Sequence, residues 1–337
     1  MNFLVVGLGS MGKRRIRCLK KLGFEKIYGY DTNSIRCKEA QQEYNIKIVD
    51  NIEDSIMDSK LDALIISVPP GMHHIYIKQA IKHNIHFFVE ASVVDDGYDE
   101  IINNLQKKDI VAAPSATTIF KSEFKIIYDL INSGELGKIS NVIHHKGQFL
   151  PDWHPYEDVK DYYVSNPLTG GAREIVPFEL MWITKLFGFP KMVCGNFRKT
   201  INIAGAEKID DTYNCLLDYE YFFVNLIVDV VSRYPTRRML INGSHKQLIW
   251  DYQNPIKLYD PIINEWKEFS YEIDQGIKGY GQNISEKPYV DELLGFVDAI
   301  KGRNSFPNNF ENDWSVLKLL YTIEDSDKKS KILKFNK

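Results

Sequence analysis

Apolar residues in the first third of the chain come in short unbroken runs rather than in alternation. They are "NFLVV" at residues 2–6, "KIYGYD" ending at Asp31, "LDALIISVPP" ending at Pro69 and Pro70, "IHFFVEAS" and "IVAAPSA". Between them lie "KRRIRCLKKLG", with Ile16, Leu19 and Leu22 on one helical face, then "MHHIYIKQAIKHN" and "YDEIINNLQKKD". Continuously apolar strands alternating with helices describe a parallel sheet covered on both faces. The pattern predicts an α/β protein whose residues 1–120 form a doubly wound domain. Over 121–337 the runs lengthen and turn residues separate them, as in "SNVIHHKGQFL", "TYNCLLDYEY", "FFVNLIVDVVSRY" and "RRMLINGSHKQLIWDY". These predict an α+β domain with a large, mainly antiparallel open sheet and helices in "EIVPFELMWITKLFG" and "YVDELLGFVDAIKG".

Composition narrows the partners. The 337 residues are 44% hydrophobic and 26% charged, with a net charge of -3, so no global positive field would gather nucleic acid or an anionic membrane surface. The basic run Lys13, Arg14, Arg15, Arg17, Lys20 and Lys21 reads as the solvated face of the first helix, with Arg14 or Arg15 near a bound phosphate. Cys18, Cys37, Cys194 and Cys215 are scattered without a CxxC pair, which suggests reduced thiols and no metal cluster. No run approaches the roughly 18 apolar residues of a membrane span. A cytoplasmic protein with a small-molecule partner is expected.

The glycine run "GLGSMG" carries the first chemistry. Gly7, Gly9 and Gly12 follow a strand, open a helix, and are followed about 20 residues later by an acid, Asp31. Gly7 makes the turn, Gly9 lets the backbone approach a pyrophosphate, Gly12 allows close packing, and Ser10 and Met11 complete the binding turn. Asp31 would accept from an adenosine ribose, favouring NAD, while nearby Arg36 keeps NADP possible. His73 and His74 stand after Pro69 and Pro70 at a strand's carboxyl end, where open sheets bind ligands; a neutral capping histidine is the other reading. Further on, "QFLPDWHPYEDVKDYY" gathers Asp152, Trp153, His154, Tyr156, Glu157 and Asp158, the rings and carboxylates that hold a sugar. Arg173, Glu174 and Glu179 lie in or beside an apolar helix, either ion-paired or pointing into a cleft.

In this order the pieces resemble the glucose-fructose oxidoreductase, inositol dehydrogenase and rhizopine-catabolism (Gfo/Idh/MocA) family. "GLGSMGKRRIRCLKKLG" looks like its "GLGSIGxRHxRNLxxLG", and "SVPPGMHHIYIKQAIKHNIHFFVEAS" like its "STPPxxHxxxAxxAxxxGxHVxxEKP". "GQFLPDWHPYEDVKDYY" is similar to a stretch in members encoded among bacterial surface-glycan genes. The resemblance implies a nicotinamide-binding Rossmann domain, a second domain that binds substrate and forms a homo-oligomer (dimer or tetramer), and hydride transfer at a sugar carbon. Gly7, Gly9, Gly12, Asp31, Pro69, His73 and Glu90 match its cofactor positions. The lysine and proline of its EKP motif fall on Ala91 and Ser92, Thr117 and Ile119 stand for an asparagine and an arginine, and Ile175 stands for an aspartate. Its histidine falls on Phe178 or Glu179. Alanine, isoleucine and phenylalanine move no protons, so two readings stay open. One is an NAD(P)-dependent oxidoreductase of a sugar or nucleotide sugar for surface polysaccharide, with a relocated acid or base. For that role Lys146 comes first, with His154 and Glu179 beside it and Lys121, His145 and Glu174 as further candidates; Trp153, Arg173 and Glu174 would hold substrate. The other is a non-redox protein that binds dinucleotide and sugar.

Overall fold

The computed structural model describes residues 1–58, 60–154, 157–272 and 285–337. Two compact units form, one from Met1–Thr117 with Glu286–Trp314, the other from Thr118–Ser285 with Ser315–Lys337.

In the first unit strands and helices alternate. They are β1 (Phe3–Val6), α1 (Ser10–Lys21), β2 (Ile27–Tyr30), α2 (Ser34–Tyr44), β3 (Lys47–Ile48), α3 (Ile52–Asp58), β4 (Ala63–Ile66), α4 (His73–Lys82), β5 (His86–Val89), α5 (Tyr98–Leu105) and β6 (Ala112–Pro114). All six strands pair in parallel, in the order β3-β2-β1-β4-β5-β6. Every residue of β1 and β4 is buried, the physical basis of the unbroken apolar runs. The chain reverses direction across the sheet between β1 and β4, and such a switch opens a crevice at the strands' carboxyl ends.

The second unit contains α6 (Ser122–Asn132), β7 (Ile139–Phe149), α7 (Gly171–Phe187), β8 (Met192–Arg198), β9 (Thr212–Asp218), β10 (Phe223–Asp229), β11 (Val231–Gly243), β12 (Gln247–Asp251), β13 (Ile256–Asp260) and β14 (Glu265–Phe269). After these come α8 (Lys287–Ile300), α9 (Phe310–Lys329) and β15 (Leu333–Lys334). Nine strands form one sheet, ordered β14-β13-β12-β11-β7-β10-β9-β8-β15. All neighbours are antiparallel except β7 and β10. The sheet is therefore mixed but mainly antiparallel, as the longer runs separated by turn residues predict.

Helix α8 joins the first unit, where Leu293, Phe296 and Val297 enter the same core as Phe3, Val5, Ile16, Leu19 and Phe88. Its apolar spacing announces a helix, but nothing local announces which sheet it covers.

Candidate functional sites in the two units

The glycine turn of the first unit is fixed by steric necessity. Gly7 has φ 89°, and a Cβ on Gly12 would stand 1.8 Å from the Gly7 carbonyl oxygen, so neither position accepts a side chain. Helix α1 starts here with Gly9 as its cap, no side-chain cap bond, and no acid in its first turn. Ser10 and Met11 open that first turn. The positive end of the helix is thus left for an anion. Asp31 ends β2 and accepts from Leu8 N at 2.7 Å and Asn33 N at 2.8 Å, which fixes its carboxylate against the turn. Arg36 leans over the turn, its Nη1 3.9 Å from where a Cβ on Gly9 would be. These groups fit a dinucleotide: a tight turn, an uncapped helix end and an acid at the neighbouring strand's carboxyl end.

Pro69 leads into a short turn, Pro70–Met72, that delivers His73 to the start of α4. His73 is buried, its Nε2 2.9 Å from the Val68 carbonyl and its Nδ1 2.9 Å from Ser92 Oγ. Burial pushes its pKa down to about 4, so the ring is neutral, Nε2–H donates to the carbonyl and the Ser92 hydroxyl donates to Nδ1. His73 thereby ties the loop after β4 to the loop after β5.

The basic run on α1 departs from expectation, because Arg14 and Arg15 are buried rather than solvated. Arg15 donates to both oxygens of Glu90, at 2.7 and 2.8 Å, and its Nη1 lies 2.9 Å from Glu292 on α8. The guanidinium also stacks 4.4 Å from the centre of the Phe88 ring. Burial opposes its charge, but Glu90 and Glu292 outweigh that and hold it above its ordinary range. Glu292 further accepts from Ser115 Oγ, Ala116 N and Thr117 Oγ1 at 2.9, 2.6 and 2.7 Å. Glu90 takes a 3.1 Å bond from Ser67 as well. Glu90 and Thr117 are thus parts of a buried network that clamps α1, α8 and the ends of β4, β5 and β6.

In the second unit, strand pairing assembles a different cluster. Arg237 on β11 stands directly opposite Lys146 on β7, and Met239 opposite His144. Alternation puts all four on one face of the sheet, the face that α7 covers. From α7, Glu179 Oε2 meets His144 Nε2 at 2.6 Å and Arg237 Nη2 at 3.0 Å. The Arg237 guanidinium lies 4.6 Å from the centre of the Trp182 ring, which stacks on Trp250 at 5.4 Å. Burial works against the Glu179 charge, but Arg237 and His144 override it and hold the carboxyl well below the usual carboxylate range. Glu179 thereby joins Arg237 to His144 over one face of the sheet. Burial likewise holds His144 below its ordinary value.

Lys146 and Lys121 complete the cluster. Both are half-buried, and neither side-chain amino group makes a hydrogen bond or ion pair among the described residues. Burial, reinforced by Arg237, pushes Lys146 down to about 7 and Lys121 to about 8. His145 points to the other face and bonds Asp229 at 2.7 Å. Sequence reading missed His144 and Arg237; the alternation in "HHKGQ" and "RRMLING" carried the signal, but not the pairing of the two strands.

The remaining sequence candidates separate. Arg173 pairs with Glu324 of α9 at 2.6 Å and also donates to the Leu168 carbonyl, so it ties α7 to α9 instead of facing outward for substrate. Glu174 accepts from Tyr163 OH at 2.5 Å, and burial pushes it up to about 7; its Oε2 is buried with no partner among the described residues. His154 stacks on Tyr162 at 4.7 Å and has Glu157 Oε2 3.3 Å from its Nδ1. Trp153 is half-buried, with an unpartnered indole nitrogen. Tyr156 lies outside the described residues. Among the described residues no group of acids, histidines and cysteines could hold a metal, and no helix is long and apolar enough to cross a membrane.

Comparison with known proteins agrees with the geometry of the first unit. Residues 1–105 match the oxidoreductase family with an NAD-binding Rossmann fold. An uncharacterised oxidoreductase of Schizosaccharomyces pombe is 22% identical over 181 residues, 52% of this chain and 47% of that one. The uncharacterised oxidoreductase YrbE of Bacillus subtilis is 26% identical over 137 residues, 40% of each chain. The matched stretches thus span less than half of these relatives. Among solved structures, levoglucosan dehydrogenase in complex with NADH and levoglucosan shares the fold with a TM-score of 0.84, over 100% of both chains at 14% identity. The match to the family model is thus confined to the first 105 residues, which are similar to its NAD-binding Rossmann fold.

Proposed function

We propose that the chain is an NAD-dependent oxidoreductase of a sugar or nucleotide sugar in which Lys146 moves the proton that accompanies hydride transfer. One observation carries the reading: a half-buried lysine with no partner among the described residues, opposite Arg237, whose pKa is brought down to about 7. A base is most effective when its pKa lies near the working pH. The sugar-binding neighbour of the same fold, levoglucosan dehydrogenase, supports the substrate class.

Gly7, Gly9, Ser10, Met11 and Gly12 would bind the pyrophosphate and Asp31 the adenosine ribose, with Pro69 and His73 shaping the loop beside them. NAD, when bound, supplies the hydride acceptor. In the oxidative direction neutral Lys146 would take the proton of the hydroxyl on the carbon being oxidised and become an ammonium. Glu179 holds Arg237, and Arg237 keeps Lys146 deprotonated near neutrality. Glu174, with its free Oε2, and Trp153 would contact the sugar, and His154 stands in the same loop. A place in bacterial surface-polysaccharide synthesis, in the cytoplasm and as a homo-oligomer, completes the proposal; it rests on the resemblance of the Gln148–Tyr163 stretch.

The test is nicotinamide absorbance over a panel of sugars and nucleotide sugars across a pH series. Oxidation should rise with pH and level off above about 7, because the neutral amine is the active form. Lys146→Met should lower kcat by roughly 10²–10⁴-fold and remove that pH step. Wild-type activity in the variant would reject Lys146, and tight NADH binding without turnover of any sugar would reject the redox reading.

A further inference from the structure

The charges around Lys146 do not balance. Like charges directly opposite each other on paired strands are destabilising, yet Lys146 and Arg237 are such a pair, and Lys121 brings a third cation at the start of α6, the helix whose Phe124 packs edge-on at 5.2 Å against the same Trp182 that carries the Arg237 guanidinium. Three carboxylates act on the group. Glu179 is taken up by His144 and Arg237. Asp229 is held by His145 and by the backbone N–H groups of Val231 and Ser232. Glu123, buried in the first turn of α6, acts on Lys121. None of them bonds either lysine side chain among the described residues, so both amino groups are left for a ligand while remaining partly open to solvent. Arg237 also keeps a buried, unpartnered Nε. Its plane is fixed from below by Trp182 and from the side by Glu179, a rigid fork of the kind that suits oxyanions.

We propose that Lys121 and Arg237 receive an anionic substituent of the substrate, a carboxylate or a phosphate carried on the sugar, beside the Lys146 that moves the proton. The inference rests on the reading of this cluster as the substrate site and adds its specificity. It divides the labour among three cations: Arg237 and Lys121 supply charge, and Lys146 works as the neutral amine.

Isothermal calorimetry of the NADH-loaded protein tests this without turnover, using D-glucuronate, glucose 6-phosphate, UDP-glucose and D-glucose as probes. Glucuronate or glucose 6-phosphate should bind at least about tenfold tighter than glucose. Lys121→Met should abolish that preference by weakening the acids at least about tenfold more than glucose, while Lys121→Arg should retain it; thermal melts of both variants report folding. The inference is overturned if glucose binds as tightly as the acids, if Lys121→Met weakens all probes alike, or if UDP-glucose alone binds tightly and ignores the substitution. Lys121-dependent glucuronate binding without turnover of any sugar would reject hydride transfer and leave the anion site standing. Turnover of neutral sugars without preference for acids would do the reverse.

Discussion

Two buried arginines, each stacked on an aromatic ring and paired with glutamate, sit in opposite electrostatic situations. Arg15 faces two carboxylates, and one of these, Glu292, is further satisfied by two hydroxyls and a backbone N–H. Arg237 shares its one bonded carboxylate with His144 and looks across the sheet at another cation. The first arrangement is complete and clamps secondary structure. The second is left with surplus cation donors, the condition under which a lysine's pKa falls into the range where it can move protons.

The contrast is broken most forcefully at Arg15. Replacing it by Met leaves Glu292 buried and Glu90 half-buried without their cation, and an uncompensated buried charge costs about 3–5 kcal/mol. Urea unfolding of Arg15→Met should show that loss, and a change within about 0.5 kcal/mol would refute the clamp. A smaller effect is expected at Ser92, whose hydroxyl satisfies the acceptor nitrogen of His73. Ser92→Ala leaves a buried acceptor unmade and should cost about 1–3 kcal/mol, read by the same unfolding curves.

The mildest effect has the opposite sign. Lys146→Met removes one of two like charges facing each other and should raise stability near pH 7 by roughly 0.2–1 kcal/mol. The sign follows from proton binding. Lys146 has a folded pKa of about 7 against an ordinary 10.5, so between these values the unfolded chain binds more protons and wild-type stability climbs with pH. The advantage of the variant should therefore shrink from pH 7 towards 10.5. A constant advantage across that window would show that the lysine does not titrate low.

The sequence by itself determined the parts of the molecule that depend on near neighbours. The turn at Gly7, Gly9 and Gly12 follows from a shortage of space within six residues, and Asp31 lies one strand away. The unbroken and alternating apolar runs likewise distinguish the two sheets, because burial on two faces or one is written into each strand. Tertiary structure decided the charged groups. Arg15 lies on a helix that reads as solvated, and only the return of α8 with Glu292, 277 positions later by its numbering, turns it inward. Lys146, Arg237 and Glu179 come together through the pairing of β7 with β11 and the packing of α7. No local pattern encodes that encounter, because the energy of a buried charge depends on which partners the rest of the chain brings to it.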